Sequence, residues 1–302
     1  MDVPAAPARL KRRLAPIYQT VRRRTKRLNA QVQYMWYRVY NRTAHRPVTG
    51  SASLMVSLTS YGQRVEQAFA TIEAIGAGSI RPRRLVLWLD DPAIAGALPP
   101  ELVRLQARGL EVRLTTNLGP HTKYFPSLAE LDGTGLSLVT ADDDILYPRR
   151  WLADLLEAST EHPGHVCCHR AYVVSVRGEA IAPYSTWPVC RTTDPGPTIF
   201  ATGVSGVLYP PRMLAALRER GTAFLESTPK ADDVWLHWVA WRAGVPVRQV
   251  RATARHFPIV PGTQEVGLIH ANVGEGANDR WISQVYDDAD AKGLAAAGAP
   301  AR

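Results

Sequence analysis

The chain has 302 residues, 46% of them hydrophobic, enough to bury a sizeable core in one large domain or in one domain with an appendage. Its formal charge is +9, but residues 1–46 hold 12 Lys/Arg against the single acid Asp2, while residues 47–302 hold 24 Lys/Arg against 26 acids. The basic balance belongs to an N-terminal arm, so the chain divides at 1–46 and 47–302, and a generally basic, nucleic-acid-binding body is excluded.

Three cysteines, Cys167, Cys168 and Cys190, make neither an even disulfide framework nor a zinc spacing, so a reducing compartment is expected. No apolar stretch of about 18 residues occurs, and the N-terminus lacks the apolar core of a signal peptide. The expectation is a cytoplasmic protein, soluble or peripheral at the inner face of the cell membrane.

The arm reads as a helix over residues 9–42. Leu10, Leu14, Ile17, Val21, Leu28, Val32, Met35 or Trp36, and Val39 recur at helical spacing, Arg and Lys fill much of the rest, and Tyr34, Trp36, Tyr37 and Tyr40 cluster near its end. Such a helix lies on an anionic membrane surface or packs on the body by its apolar stripe; nucleic-acid binding is a third and weaker reading, because the rest of the chain carries no basic face.

From Leu54 onward, short aliphatic runs alternate with amphipathic helices. Strands are expected at Leu54–Thr59, Leu85–Leu89, Glu111–Leu114, Leu136–Thr140 and Val166–Val176. Helices are expected at about Arg64–Ile75, at Pro99–Arg108 with Gly109 past its end, and at Trp151–Ala158. This alternation predicts an α/β fold with a mostly parallel sheet covered by helices on both faces. Ligands bind beyond the carboxyl ends of strands in such sheets, which singles out the residues following each strand.

The fourth strand breaks into Asp142-Asp143-Asp144. Three adjacent carboxylates repel one another, and a divalent cation with hard oxygen ligands, Mn²⁺ or Mg²⁺, relieves the repulsion. The alternative is an acidic loop that caps the following helix. Downstream, Asp232-Asp233 opens an apolar helix that stops at Gly244; one Asp there is an ordinary cap, and two ask for more. A helix N-terminus would hold such a carboxylate ionised and ready to act as a base. Other strand ends carry Thr59, Tyr61 and Arg64, then Asp90-Asp91, and a loop with His121 and Lys123, whose ammonium suits a diphosphate. Gly203 and Gly206, in Ala201–Pro211, permit close backbone approach to a ligand or mark a bulge. Near the C-terminus His256, His270, Asn272, Asn278 and Asp279 form a polar group, from which either histidine could complete a metal shell.

Three segments together, Asp-Asp-Asp-Ile-Leu-Tyr-Pro, Gly-Val-Ser-Gly-Val-Leu-Tyr-Pro-Pro and Lys-Ala-Asp-Asp-Val-Trp, resemble bacterial GT-A glycosyltransferases related to family 2. The opening Ser-Leu-Thr-Ser-Tyr-Gly-Gln-Arg-Val and the later Leu-Trp-Leu-Asp-Asp fit the same group, and the likeness spans about residues 53–285. The resemblance implies a GT-A (nucleotide-diphospho-sugar transferase) fold and a nucleoside-diphosphate sugar donor. It matches Asp142 and Asp144, with Asp143 between them, to the metal and nucleotide DxD motif, and His270 becomes a candidate third ligand. It also matches Asp90 or Asp91 to the acid near the nucleoside and Asp233 to the base, with Asp232 as its neighbour where the family carries Glu.

The function expected is metal-dependent, inverting transfer of a sugar to a glycan or lipid-linked acceptor, with Thr59, Tyr61, Arg64, Lys123, Gly203 and Gly206 at the donor and no nucleic acid involved. The rivals are a metal-dependent phosphotransferase of HAD-like chemistry, whose Asp-x-Asp follows the first strand instead of the fourth, and a non-catalytic membrane or nucleic-acid adaptor. No Gly-x-Gly-x-x-Gly follows a strand, which excludes a dinucleotide fingerprint.

Overall fold

The computed structural model of the chain describes residues 8–263 and 277–298. His270 and Asn272 lie outside the described residues. One long helix, α1 (Ala8–Thr43), precedes the first strand, β1 (Ala52–Thr59). There follow α2 (Ala68–Gly76), β2 (Pro82–Leu89), α3 (Pro92–Gly96), α4 (Pro100–Gln106), β3 (Leu110–Leu114), α5 (Phe125–Glu130), β4 (Ser137–Thr140) and α6 (Trp151–Glu161). The second half holds β5 (Val166–Cys168), β6 (Ala171–Val173), β7 (Val176–Arg177), β8 (Ala180–Ile181), β9 (Ile199–Ala201), β10 (Val207–Tyr209), α7 (Pro211–Arg220), α8 (Phe224–Ser227), α9 (Asp232–Arg242) and β11 (Val247–Gln249). Helices Ala277–Val285 and Asp288–Gly298 close the described chain.

The central sheet has seven strands in the order β11-β5-β10-β4-β1-β2-β3. All neighbours pair in parallel except β10, which runs antiparallel to both β4 and β5. Along β1 the side chains alternate between two cores. Leu54, Val56 and Leu58 face one cluster with Phe69 and Ile72 of α2 and Leu155 of α6, while Met55 faces the other with Trp235 of α9 and Leu214 of α7. Burial on both faces explains why β1 reads as apolar on both sides, broken only by Ser57, whose buried hydroxyl accepts from Trp88 Nε1; each fully buried aliphatic side chain contributes about 1.5–3 kcal/mol. The mostly parallel sheet with helices on both faces, expected from the alternation of elements and from the GT-A resemblance, is the architecture observed.

Two expected elements differ in detail. The helix expected over Arg64–Ile75 is a 3-10 turn, Gly62–Glu66, joined to α2 at Gln67, whose amide still bonds the Arg64 carbonyl. The strand expected over Val166–Val176 is three short strands. β5 stays in the main sheet; then the Ala171 amide bonds the Gln249 side chain, and β6 pairs antiparallel with β9 in a separate ribbon. His169-Arg170 marks the point where the chain passes from one sheet to the other.

The end of α1 is tied to the body through a buried polar knot. Glu73, fully buried, accepts from both terminal nitrogens of Arg108 and from Asn41 Nδ2 at 2.9 Å, and Arg104 Nε reaches Asn41 Oδ1 at 2.8 Å. Cys167, Cys168 and Cys190 are free and buried. Among the described residues no helix is long and apolar enough to cross a membrane.

Candidate active site

The strand β4 ends at the carboxyl edge of the sheet, and Ala141 adds one more bond to Ser57 of β1 before the chain leaves the ladder. The next three residues keep an alternation: Asp143 turns inward and is 5% exposed, whereas Asp142 and Asp144 stay half-open to the cleft. The Arg64 guanidinium grips both oxygens of Asp143, and the Ser60 hydroxyl donates to Oδ2 at 2.5 Å. The Thr71 hydroxyl bonds the Asp143 carbonyl at 2.8 Å. Arg64 also reaches Asp144 Oδ2 at 3.1 Å, so one guanidinium bridges two carboxylates. Asp143 and Arg64 thus engage each other and form one wall of the cleft, and the sidedness of the strand end leaves Asp142 and Asp144 as the outward pair.

The opposite wall comes from sequence-distant elements. Lys123 closes the 3-10 turn Gly119–Lys123, and its Nζ lies 3.1 Å from Asp142 Oδ1 and 3.3 Å from Asp232 Oδ2. Asp233 Oδ1 accepts the Gly203 amide at 3.0 Å. A Cβ added at Gly203 would stand 3.2 Å from Asp233 Oδ1 and 3.4 Å from Lys123 Nζ, so this glycine lets the backbone come close to the acid-lysine cluster. The cap of α9 is Ala231, which makes no side-chain cap bond, and Asp232 and Asp233 occupy the first turn instead. Capping therefore does not account for the pair.

Gly206 answers to a different neighbour. With φ at +91° it lies against Trp151, and an added Cβ would fall 2.6 Å from the indole; Trp151 in turn donates Nε1 to the Ser205 carbonyl at 2.9 Å. Its close approach is explained by that ring. Gly206→Ala should destabilise the fold by roughly 2 kcal/mol or more through strain and overpacking. The melting temperature falls by about 4 °C or more in a thermal scan. An unchanged melting temperature would show that the Trp151 contact does not require glycine.

Electrostatics follow from crowding. Burial, then the Asp142 charge, push the Asp144 carboxyl up to about 6, with Arg64 opposing and Asp143 adding to the rise. Burial and Asp232 raise Asp233 against the pull of Lys123 and the Gly203 amide. The helix N-terminus was expected to hold Asp233 low; desolvation and a like charge next door outweigh it. Burial lowers Lys123, but Asp142, Asp232 and Asp233 together hold it well above the ordinary lysine value.

The cleft counts five carboxylates (Asp142, Asp143, Asp144, Asp232, Asp233) against two fixed cations, Arg64 and Lys123. The surplus and the raised acids fit a divalent cation, and the oxygen-only donor set suits Mg²⁺ or Mn²⁺. Among the described residues no three His, Cys, Asp or Glu side chains are grouped so that they could by themselves hold a metal ion. The arrangement fits an ion that takes one or two protein carboxylates and leaves other positions to a diphosphate and water.

The remaining candidates make contacts of their own. The Thr59 hydroxyl donates to the Trp88 carbonyl at 3.1 Å. Tyr61 is exposed, with Arg64 stacked 5.6 Å from its ring centre. Asp90 is half-buried, and Asp91 caps α3 by accepting from the Ala93 amide at 2.8 Å. His256 is exposed on the segment after β11. Asp279 accepts the Tyr184 amide at 2.6 Å and ties its helix to the body. Sequence reasoning missed Ser60, which holds Asp143, and Tyr147, whose hydroxyl accepts the Asp142 amide at 2.9 Å. It also missed Tyr184, whose hydroxyl is pushed up by burial and by Asp233. Ser60 and Tyr147 sit beside motif residues and could have been flagged; nothing in the sequence marks Tyr184.

No protein family matches the chain, and no curated protein does. Among solved structures, the chain is similar to CMP:2-keto-3-deoxy-manno-octonic acid synthetase complexed with CTP, at 14% identity and a TM-score of 0.39 over 65% of this chain and 88% of that one. It is similar to 4-diphosphocytidyl-2C-methyl-D-erythritol synthase from Anaerococcus prevotii at 12% identity and a TM-score of 0.46, over 70% of this chain and 91% of that one. Residues 1–349 of TarS from S. aureus align at 16% identity and a TM-score of 0.45, over 68% of this chain and 59% of that one.

Proposed function

We propose that the chain is a metal-dependent glycosyltransferase that moves a sugar from a nucleoside diphosphate to an acceptor hydroxyl with inversion. The observation that carries the reading is the meeting, in one cleft, of two outward carboxylates at the end of β4 with a separate half-buried carboxylate, Asp233, at the start of α9. Lys123 links Asp142 of the first group to Asp232, the neighbour of Asp233. Such a transfer needs these two functions side by side: neutralisation of a leaving diphosphate and removal of a proton from the incoming hydroxyl.

Asp142 and Asp144 would hold the Mn²⁺ or Mg²⁺ ion, which when bound supplies positive charge to the diphosphate. Asp233 takes the acceptor proton. The Gly203 amide holds its Oδ1, which leaves Oδ2 for the hydroxyl. Its raised pKa brings it toward the operating pH, where a base works best. Lys123 keeps the Asp142 and Asp232 carboxylates at a set separation and offers a point charge to the diphosphate. Arg64, fixed by Asp143, steadies Asp144 on the other side.

A panel of nucleotide sugars, each with Mn²⁺ or with chelator, tests the reading by thermal unfolding. A donor at about 100 times its Kd stabilises by about 2.7 kcal/mol. At least one nucleoside-diphosphate sugar should raise the melting temperature with metal only. A panel with no metal-dependent shift counts against the proposal.

A further inference from the structure

The arm helix α1 presents two opposite faces. The face that docks on the body carries Ala30, Tyr34, Tyr37 and Asn41: Ala30 is buried, Tyr34 and Tyr37 pack against the core, and Asn41 joins the Glu73 knot. The apolar stripe read from the sequence is on the other side. Leu28 is 59% exposed, Val32 61%, Met35 54%, Trp36 53% and Val39 59%. At 3.6 residues per turn these five lie within an arc of roughly 100°, centred opposite the docked face. By spacing, positions 10, 14, 17 and 21 continue the same line toward the start of the helix. Packing on the body therefore does not explain the stripe, because a different set of residues does the packing.

The surroundings of the stripe say what covers it. Trp36 stacks on Tyr40 at 4.8 Å and meets Tyr37 edge-on at 5.0 Å, an aromatic cluster of the kind that sits at a bilayer's polar boundary. Arg24 and Arg42 border it by helical spacing and Arg38 lies next to them, all exposed, within a segment that holds 12 Lys/Arg and one acid. A protein partner could use the apolar residues, but an excess of one sign over the full length of the helix complements an extended anionic surface.

The helix also has a direction. Thr71 of α2 bonds the Asp143 carbonyl, so the start of α2 lies at the cleft, and Tyr34 packs its ring 5.6 Å from Phe69 at that same end. Asn41 lies farther back, at Glu73. From Tyr34 the helix thus runs toward the cleft edge of the sheet with Ala30 still packed on the body, and the residues before Ala30 continue in the same direction for roughly 30 Å, at 1.5 Å per residue.

We propose that the exposed face of α1 docks the protein on an anionic lipid bilayer. Seated this way, the helix lies along the membrane and the cleft edge of the sheet stands beside the lipid surface, within reach of an acceptor anchored there. The docking surface is independent of the catalytic reading; only the lipid-anchored acceptor rests on it.

The test is co-sedimentation of the full chain with vesicles of phosphatidylcholine alone or with added phosphatidylglycerol, at low and high salt. Partition onto the anionic vesicles should be at least tenfold stronger, and should fall at least tenfold in high salt. The double variant Val32→Asp/Met35→Asp should lose at least tenfold in partition while keeping its melting temperature and its metal-dependent donor shift, since both positions face solvent. That donor shift separates failure of docking from failure of the glycosyltransferase reading. Equal partition onto neutral and anionic vesicles would overturn the proposal, as would full binding by the double variant. A dimer without vesicles that the double variant dissociates would overturn it too, by assigning the face to a second copy of the chain.

Discussion

Replacing Asp233 by Asn should lower transfer by about 100- to 10,000-fold, the contribution typical of a general base, while donor affinity and melting temperature change little. The structure gives the reason for the second half. The cap of α9 makes no side-chain bond, and among the described residues Asp233 accepts from the Gly203 amide, a bond that the Asn carbonyl oxygen can also accept. Asn removes proton-accepting capacity and leaves the shape. Asp232→Asn should cost less in rate, because Asp232 pairs with Lys123 at 3.3 Å and stands one step behind the base. It should also lower the pKa that governs the rate, since Asp232 is the largest charge effect raising Asp233. Initial rates across a pH series, beside thermal unfolding, decide both points. Near-normal transfer by Asp233→Asn removes it as the base, and a dead Asp232→Asn with a live Asp233→Asn reverses the roles.

The second large effect lies at Asp144. With Mn²⁺ or Mg²⁺, UDP or GDP should bind far more tightly than with chelator, and Asp144→Asn should abolish the difference. The metal-free protein carries a pH signature of the same residue. Asp144 is raised from 3.8 to about 6, so the folded state holds that proton more tightly than the unfolded chain. Stability is then lost as pH rises from about 4 to about 6, a change of order 3 kcal/mol at 1.36 kcal/mol per pKa unit. Asp144→Asn should flatten this decline and raise the metal-free melting temperature at pH 7. In the native protein, protons compete with the ion, so metal-dependent nucleotide binding should weaken as pH falls below about 6. Calorimetry showing equal nucleotide affinity with ion and with chelator would end the metal assignment, and a flat pH profile in the native protein would end the electrostatic one.

Much of the frame was legible in the chain itself. The aliphatic run of β1 is buried on both faces, and that condition writes the same signal into sequence and structure. Asp142-Asp143-Asp144 was legible as an acidic run at a strand's end, where adjacent carboxylates repel one another and call for a positive partner; which partner they take in this fold, Arg64 and Lys123, was not. The charge boundary near residue 46 was legible from counting, and so was the helical period of the arm.

Other features depended on distance through space. Lys123 meets Asp142 and Asp232, and Asp233 meets Gly203, across separations of 19 to 109 residues that no local pattern records. The inward turn of Asp143 toward Arg64 and Ser60 separates the holding acid from the two outward ones, although the three are chemically alike in sequence. The sign of the Asp233 shift needed the burial around α9, because desolvation and a neighbouring charge compete with the helix terminus and only packing sets their sizes. On α1 the period marked an apolar face, yet the body took the opposite one: Tyr34 and Tyr37 offered rings to Phe69 and the core, and Asn41 offered an amide that the buried Glu73 required. A stripe in a sequence marks a face without saying what meets it, and only the contacts made by the rest of the chain show that, among the described residues, the body packs on the opposite one.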